Sequence, residues 1–273
     1  SEEMKDRLKE SVSDLETSIA DAEQSFDDIG AASEVAEDVA GRLEELANKT
    51  NRTAGEQAEM AGLVSQLNTL FPDMGLAIDE VTGNLNMSSD AIDDFVKNSA
   101  NLAQAKAAQD KLAAASEELI DAQVELYNTG QELEDMEDRR IEIEEELADI
   151  SEAVTKKQQA QEQAQIDYNE ALKTGEGDLT ALYNAMMDTS EAVVEYNGQT
   201  MTASEASRLL NDEISTLKAQ QESLQETYDT QNEKVGESQE KITGLSAAFE
   251  NLIQKTNEDT AAKAANSQAA QVS

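Results

Sequence analysis

Between residues 119 and 154 the large apolar side chains recur every seven positions, and that interval leaves few folds open. Leu119, Leu126, Leu133, Leu147 and Val154 share one heptad position, broken at Arg140. Ala122, Met136, Ile143 and Ile150 hold the partner position, broken at Thr129 and Lys157. Two apolar positions in each heptad draw a continuous seam along an α-helix, which predicts a coiled coil. A second seam has Ile214, Tyr228, Val235, Ile242 and Phe249 at one position, with Gln221 as a gap. Leu217, Leu224, Leu245 and Leu252 hold the other, with Gln231 and Ser238 as gaps. Two seams allow two pairings. In an isolated chain they pack on each other as an intramolecular helical hairpin. In an assembled particle several copies lie side by side in a parallel bundle such as a trimer. Spacing along one helix does not separate these.

Composition points the same way. The chain has a single proline, 3% aromatic residues and an apolar content carried by Ala, Leu, Ile, Val and Met. These suit a narrow helix stripe better than a thick globular core. The expected fold class is all-α: long helices and coiled coil, interrupted by short loop or β-hairpin elements.

Six segments follow. Residues 1–70 form an N-terminal helical segment. In it Leu8, Val12, Leu15, Ile19, Ala22, Phe26 and Ile29 alternate in steps of four and three, and the polar stretch Lys49–Glu56 is a loop. Residues 71–88 form a break, because Pro72 disfavours helix at Phe71. Apolar residues flanking Gly83-Asn84 suggest a short hairpin or extended loop there, and Ser88 or Ser89 caps the next helix. Residues 89–173 are the long helix with the first seam. Residues 174–202 hold a second break: a short helix from about Asp178 to Val193, then a hairpin around Asn197-Gly198. Thr202 and Glu205 have capping-box spacing and start the second heptad helix, 203–254. Residues 255–273 read as a disordered tail. Gly83–Ala91 and Gly198–Ala206 share Gly, Ser, an acid and Ala in register, as a degenerate repeat or as convergent turn-to-cap chemistry.

The chain has no Cys and no His, which removes thiolate nucleophiles, imidazole bases and the usual zinc ligand sets. The carboxylates of Glu132–Glu146 spread around exposed helix faces rather than into a sheltered pair. Asp79–Asp90 has the length of a calcium loop, but Val81 and Gly83 stand where oxygen ligands are needed. No catalytic, cofactor-binding or metal-binding residue is expected. A formal charge of -39 opposes direct nucleic-acid binding and adsorption to anionic membranes. No apolar run is long enough to span a bilayer. Ser1-Glu2-Glu3-Met4 is neither a signal peptide nor a natural start, so the chain reads as a piece of something longer.

The stretch Leu63–Asn86 carries Leu67-Asn68, the Pro72 break, Gly75-Leu76, Asp79-Glu80, Thr82-Gly83 and Leu85-Asn86. It resembles a segment of the tail tape measure proteins of long-tailed bacteriophages, especially those of Gram-positive hosts. The resemblance covers roughly a tenth of the chain and is flanked by long helices, as in that family. It implies an extended multi-copy protein in the lumen of the virion tail, assembled in the bacterial host cytoplasm. Its implied partners are the tail tube protein and tail assembly chaperones. Tube subunits would polymerise around it until its length is covered, and it would be released on genome ejection. The competing reading is a generic bacterial coiled-coil spacer or cell-surface rod.

Overall fold

A computed structural model describes residues 2–272. Helix α1 (Glu2–Ala47) is followed by α2 (Ala54–Leu70), a 3-10 turn at Pro72–Met74, and α3 (Ser89–Thr174) of 86 residues. Helix α4 (Leu179–Met186) precedes strands β1 (Val193–Tyr196) and β2 (Gln199–Thr202). Helix α5 (Ala203–Val272) ends the described chain. The fold is all-α with one short antiparallel hairpin, as the period of seven and the turn residues predict.

Most boundaries follow from local chemistry. At the start of α2, Thr53 and Glu56 form a reciprocal capping box. Ser88 accepts the Ala91 amide at 3.2 Å and opens α3. In the β1–β2 turn Asn197 and Gly198 both have positive φ, 49° and 73°, as an Asn-Gly hairpin requires. Thr202 accepts the Glu205 amide at 3.3 Å.

Two expectations are corrected and one open alternative is resolved. The short helix stops at Met186, and Val193, placed at its end from sequence, begins β1. The stretch after Gly75, read as a short hairpin or extended loop, is a loop closed by a single antiparallel bridge, Ile78 with Leu85. The segment from residue 255, read as a disordered tail, continues α5 as helix to Val272; Ser273 lies outside the described residues. Ala-rich sequence supports a helix by propensity even where no apolar seam marks it. The two similar turns also differ in detail. Their capping residues, Ser88 and Thr202, fall one position out of register, which favours convergence over a repeat.

Two units organise these elements. The first comprises Ser1–Asp6 and Leu126–Thr230; the second comprises Arg7–Glu125 and Gln231–Ser273. In the second unit α1 and α3 run antiparallel, since Arg7 reaches Glu125 at 3.8 Å while the Gln104 amide donates to the Ile29 carbonyl at 2.7 Å. Leu8, Val12, Leu15 and Ile19 of α1 are buried, as are Ala108, Ala115 and Ala122 of α3. Small residues at heptad spacing let helix axes come close. The unit also holds a wider core where the end of α1, all of α2 and the start of α3 meet. Leu43, Leu46, Met60, Val64, Leu67, Met74, Leu76, Ile92 and Val96 are buried there. Full burial of each such aliphatic side chain contributes about 1.5–3 kcal/mol.

Candidate functional site

Two places gather the residues singled out by sequence: the seam of the first unit and the loop between α2 and α3.

In the first unit α3 and α5 pack antiparallel. Ile143 and Ile150 are buried with Ala203, Ala206 and Leu210, and Leu147, Val154, Ile214 and Leu217 pack against them. Farther along, Leu133 and Met136 bury against Leu224, with Tyr228 at the edge. Higher numbers on α5 therefore meet lower numbers on α3. Leu126 is buried and Leu119 half-buried on the same α3 stripe. Of the second seam, Val235 and Ile242 are buried and Leu245, Phe249 and Leu252 half-buried, all in the second unit. One sequence seam is thus divided between two units.

Polar interruptions in the seam have identifiable partners. Arg140 donates to Glu137 and Glu144. The Glu137 carboxyl is held below its usual range by Arg140 and then by the Gln221 amide, which reaches it from α5 at 3.1 Å. Lys157 pairs with Asp188 and reaches the Ser190 hydroxyl at 3.2 Å, so at this seam position α3 meets the loop after α4. Gln161 donates to the Met186 carbonyl at 3.2 Å in the same place. Arg139 donates to Glu213 at 3.0 Å, and Tyr196 of β1 donates to the same carboxylate at 3.2 Å. Burial, then the Glu213 hydrogen bond and charge, raises the Tyr196 phenol above its ordinary range. The hairpin is thereby fixed to α5. No local sequence signal announces these long-range pairs.

The α2–α3 loop is built by side chains that replace a sheet partner. Asn68 donates to the Leu76 carbonyl at 2.7 Å and accepts the Leu76 amide at 2.9 Å. Asn86 does the same one step on, accepting from Ala77 at 2.9 Å and donating to Gly75 at 3.0 Å. Asp79 accepts the amides of Val81 and Thr82 and the Thr82 hydroxyl, which hold its carboxyl below the usual range. Gly83, at φ +68°, closes the turn where a β-branched residue would be strained. Pro72 opens the 3-10 turn, and Leu67, Leu76 and Leu85 face the core below. Val81 at the tip is almost wholly exposed, and Glu80 beside it is exposed.

Arg52, which sequence reading passed over inside a polar loop, secures this structure. Its guanidinium donates to the carbonyls of Leu46 (3.0 Å), Ala47 (3.3 Å) and Gly83 (2.8 Å), joining the end of α1 to the turn. Arg52→Ala should lower the stability of the α1–α2–α3 core by about 1.5–3 kcal/mol, as for hydrogen bonds to a charged group. Hydrogen exchange at Gly83 and Asn84 checks this. Arg52→Lys should fail to restore protection, because an ammonium lacks the planar fork.

Glu56 offers a pH test. Its pKa is lowered to about 2, first by the Lys49 hydrogen bond and then by the Thr53 amide. A depressed carboxylate stabilises the fold above its unfolded value, so the contribution is present at neutral pH. It is lost as pH falls from 4.5 towards about 2. Carboxyl NMR should place the Glu56 midpoint near 2, and Lys49→Ala should move it upward.

Among the described residues no cluster of three or more Asp, Glu, His or Cys is arranged for a metal, and no helix is long and apolar enough to cross a membrane. An open groove of about 790 Å³ along α3 and α5 is lined by Glu137, Arg140, Lys218, Gln221 and Glu222 among others. Its Arg140 and Glu137 are engaged with each other. Comparison with protein-family models, curated proteins and solved structures finds no match.

Proposed function

We propose that the chain is a structural, non-catalytic protein of a phage tail, of the tape measure type. It would set tail length during tube assembly and leave the lumen on genome ejection. The observation that carries the reading is the antiparallel seam of the first unit, where added heptads translate directly into added length. The Leu63–Asn86 stretch supports it, because its resemblance residues build one hydrogen-bonded loop and the core beneath it rather than lying scattered. A strongly acidic exterior would repel DNA and resist lasting adhesion to an acidic tube wall, easing release.

Folding back changes the ruler's scale. A fully extended helical chain would span roughly 400 Å; a paired hairpin spans less per residue. Residues 126–153 and 203–230 are of equal length and lie opposite each other. Duplicating both in tandem should lengthen tails by about 42 Å, from 28 added residues per arm at 1.5 Å each. An increase of about 84 Å would mean that the added residues lie end to end in an extended chain. Unchanged tail length would remove the ruler role and leave the generic coiled-coil spacer.

A further inference from the structure

Helix α5 changes character along its length. From Ala203 to Thr230 it contains no glycine, and its buried positions are Ala203, Ala206, Leu210 and Leu224. From Gln231 onward it belongs to the second unit, where Lys234 lies 3.4 Å from Glu16 and sets it alongside α1. Its buried positions there alternate between apolar and polar: Gln231 (7% exposed), Val235, Ser238 (4% exposed), Ile242. Among the described residues neither the Gln231 amide nor the Ser238 hydroxyl has a hydrogen-bond partner. A polar side chain at a seam position adds less apolar burial than a leucine or isoleucine there, which weakens docking.

Gly236 and Gly244 flank Ser238 and Ile242 inside the same helix. No described atom lies within 4 Å of the Cβ that an alanine would add at either one. Packing therefore does not require glycine, while glycine weakens the helix. The facing stretch of α1 buries Leu8, Val12, Leu15, Ile19 and Ala22 and contains no glycine.

We infer that residues 231–254 of α5 are a releasable strap on the second unit. The strap lifts while α1 and α3 stay paired, and lifting uncovers the apolar α1 seam around Leu15 and Ile19. Two buried polar side chains lower the cost of undocking, and two glycines lower the cost of losing the helix once it is undocked. Local opening of this kind is expected where apolar contacts are few and helix propensity is low.

Hydrogen exchange on the full chain tests it. Amides of 232–250 should exchange through an opening that leaves residues 8–22 and 108–122 protected. Gly236→Ala with Gly244→Ala should slow exchange at 232–250 about 25-fold, about fivefold for each glycine removed. Protection at 8–22 should not change. Ser238→Leu should slow the same amides further, and Val235→Ser should speed them. Trypsin cutting after Lys234 and Lys241 should follow the same order. Equal protection across all three segments, or a double-alanine effect shared by all of them, would overturn the strap, because the unit would then open only as a whole.

Discussion

Ile143→Ala should destabilise the first unit by about 2–5 kcal/mol, the usual range for truncating a buried aliphatic side chain. Ile141→Ala, two positions away, should cost less than about 0.5 kcal/mol, as surface substitutions do. The residues are chemically identical and separated by one position in sequence. One is 0% exposed between α3 and α5 and the other is 44% exposed on the outer face. Helix propensity cannot produce the difference, since Ile-to-Ala raises propensity equally at both sites. Urea unfolding followed by circular dichroism measures both. Leu224→Ala, on the other arm, should match Ile143→Ala, because Leu224 fills the next layer with Leu133 and Met136.

Asn68→Ala should be the most damaging polar substitution in the second unit. The Asn68 amide satisfies both the N–H and the C=O of Leu76, whose residue is buried in the α1–α2–α3 core. Truncation leaves two backbone groups without partners, at roughly 1–3 kcal/mol each. Asn68→Asp keeps an acceptor for the Leu76 amide and loses the donor, so it should fall between Asn68→Ala and the parent. Exchange at the Leu76 amide separates the three proteins. A leucine at this position would fill volume but restore neither bond, and should behave like alanine.

Much of the architecture was readable because helix and seam are local properties. Leu126, Leu133, Ile143 and Ile150 mark their own burial by spacing alone. Asn197-Gly198 marks its own turn. Pairing direction was not readable, since an apolar stripe says where a partner lies and not which partner it is. The polar gaps show the limit most clearly. Lys157 looks like a flaw in a heptad, and becomes intelligible only when Asp188 and Ser190, more than thirty positions away, arrive beside it. Arg52 is a similar case: its targets are carbonyls, which carry no sequence signature. The end of α4 was misplaced because Met186-Met187-Asp188 contains neither proline nor glycine to stop a helix. The α2–α3 loop was flagged by its residues, yet their roles emerged only from geometry. Asn68 and Asn86 act there as substitutes for a neighbouring strand.

The acidic exterior adds a solution property to this fold. With 59 acidic and 20 basic side chains, carboxylates far outnumber the cations that can pair with them, and added salt should raise stability by screening their mutual repulsion.

The absence of cysteine makes a direct distance measurement simple. Cysteines introduced at Glu134 and Gln225, on exposed positions of the two arms of the first unit, can carry spin labels. Antiparallel pairing within one chain predicts a separation within about 20–30 Å, from helix axes 8–10 Å apart plus the label arms. That separation should persist when labelled protein is diluted into a large excess of unlabelled chain. Loss of the short distance on dilution would place the pairing between copies, and a long distance at every dilution would contradict the hairpin altogether.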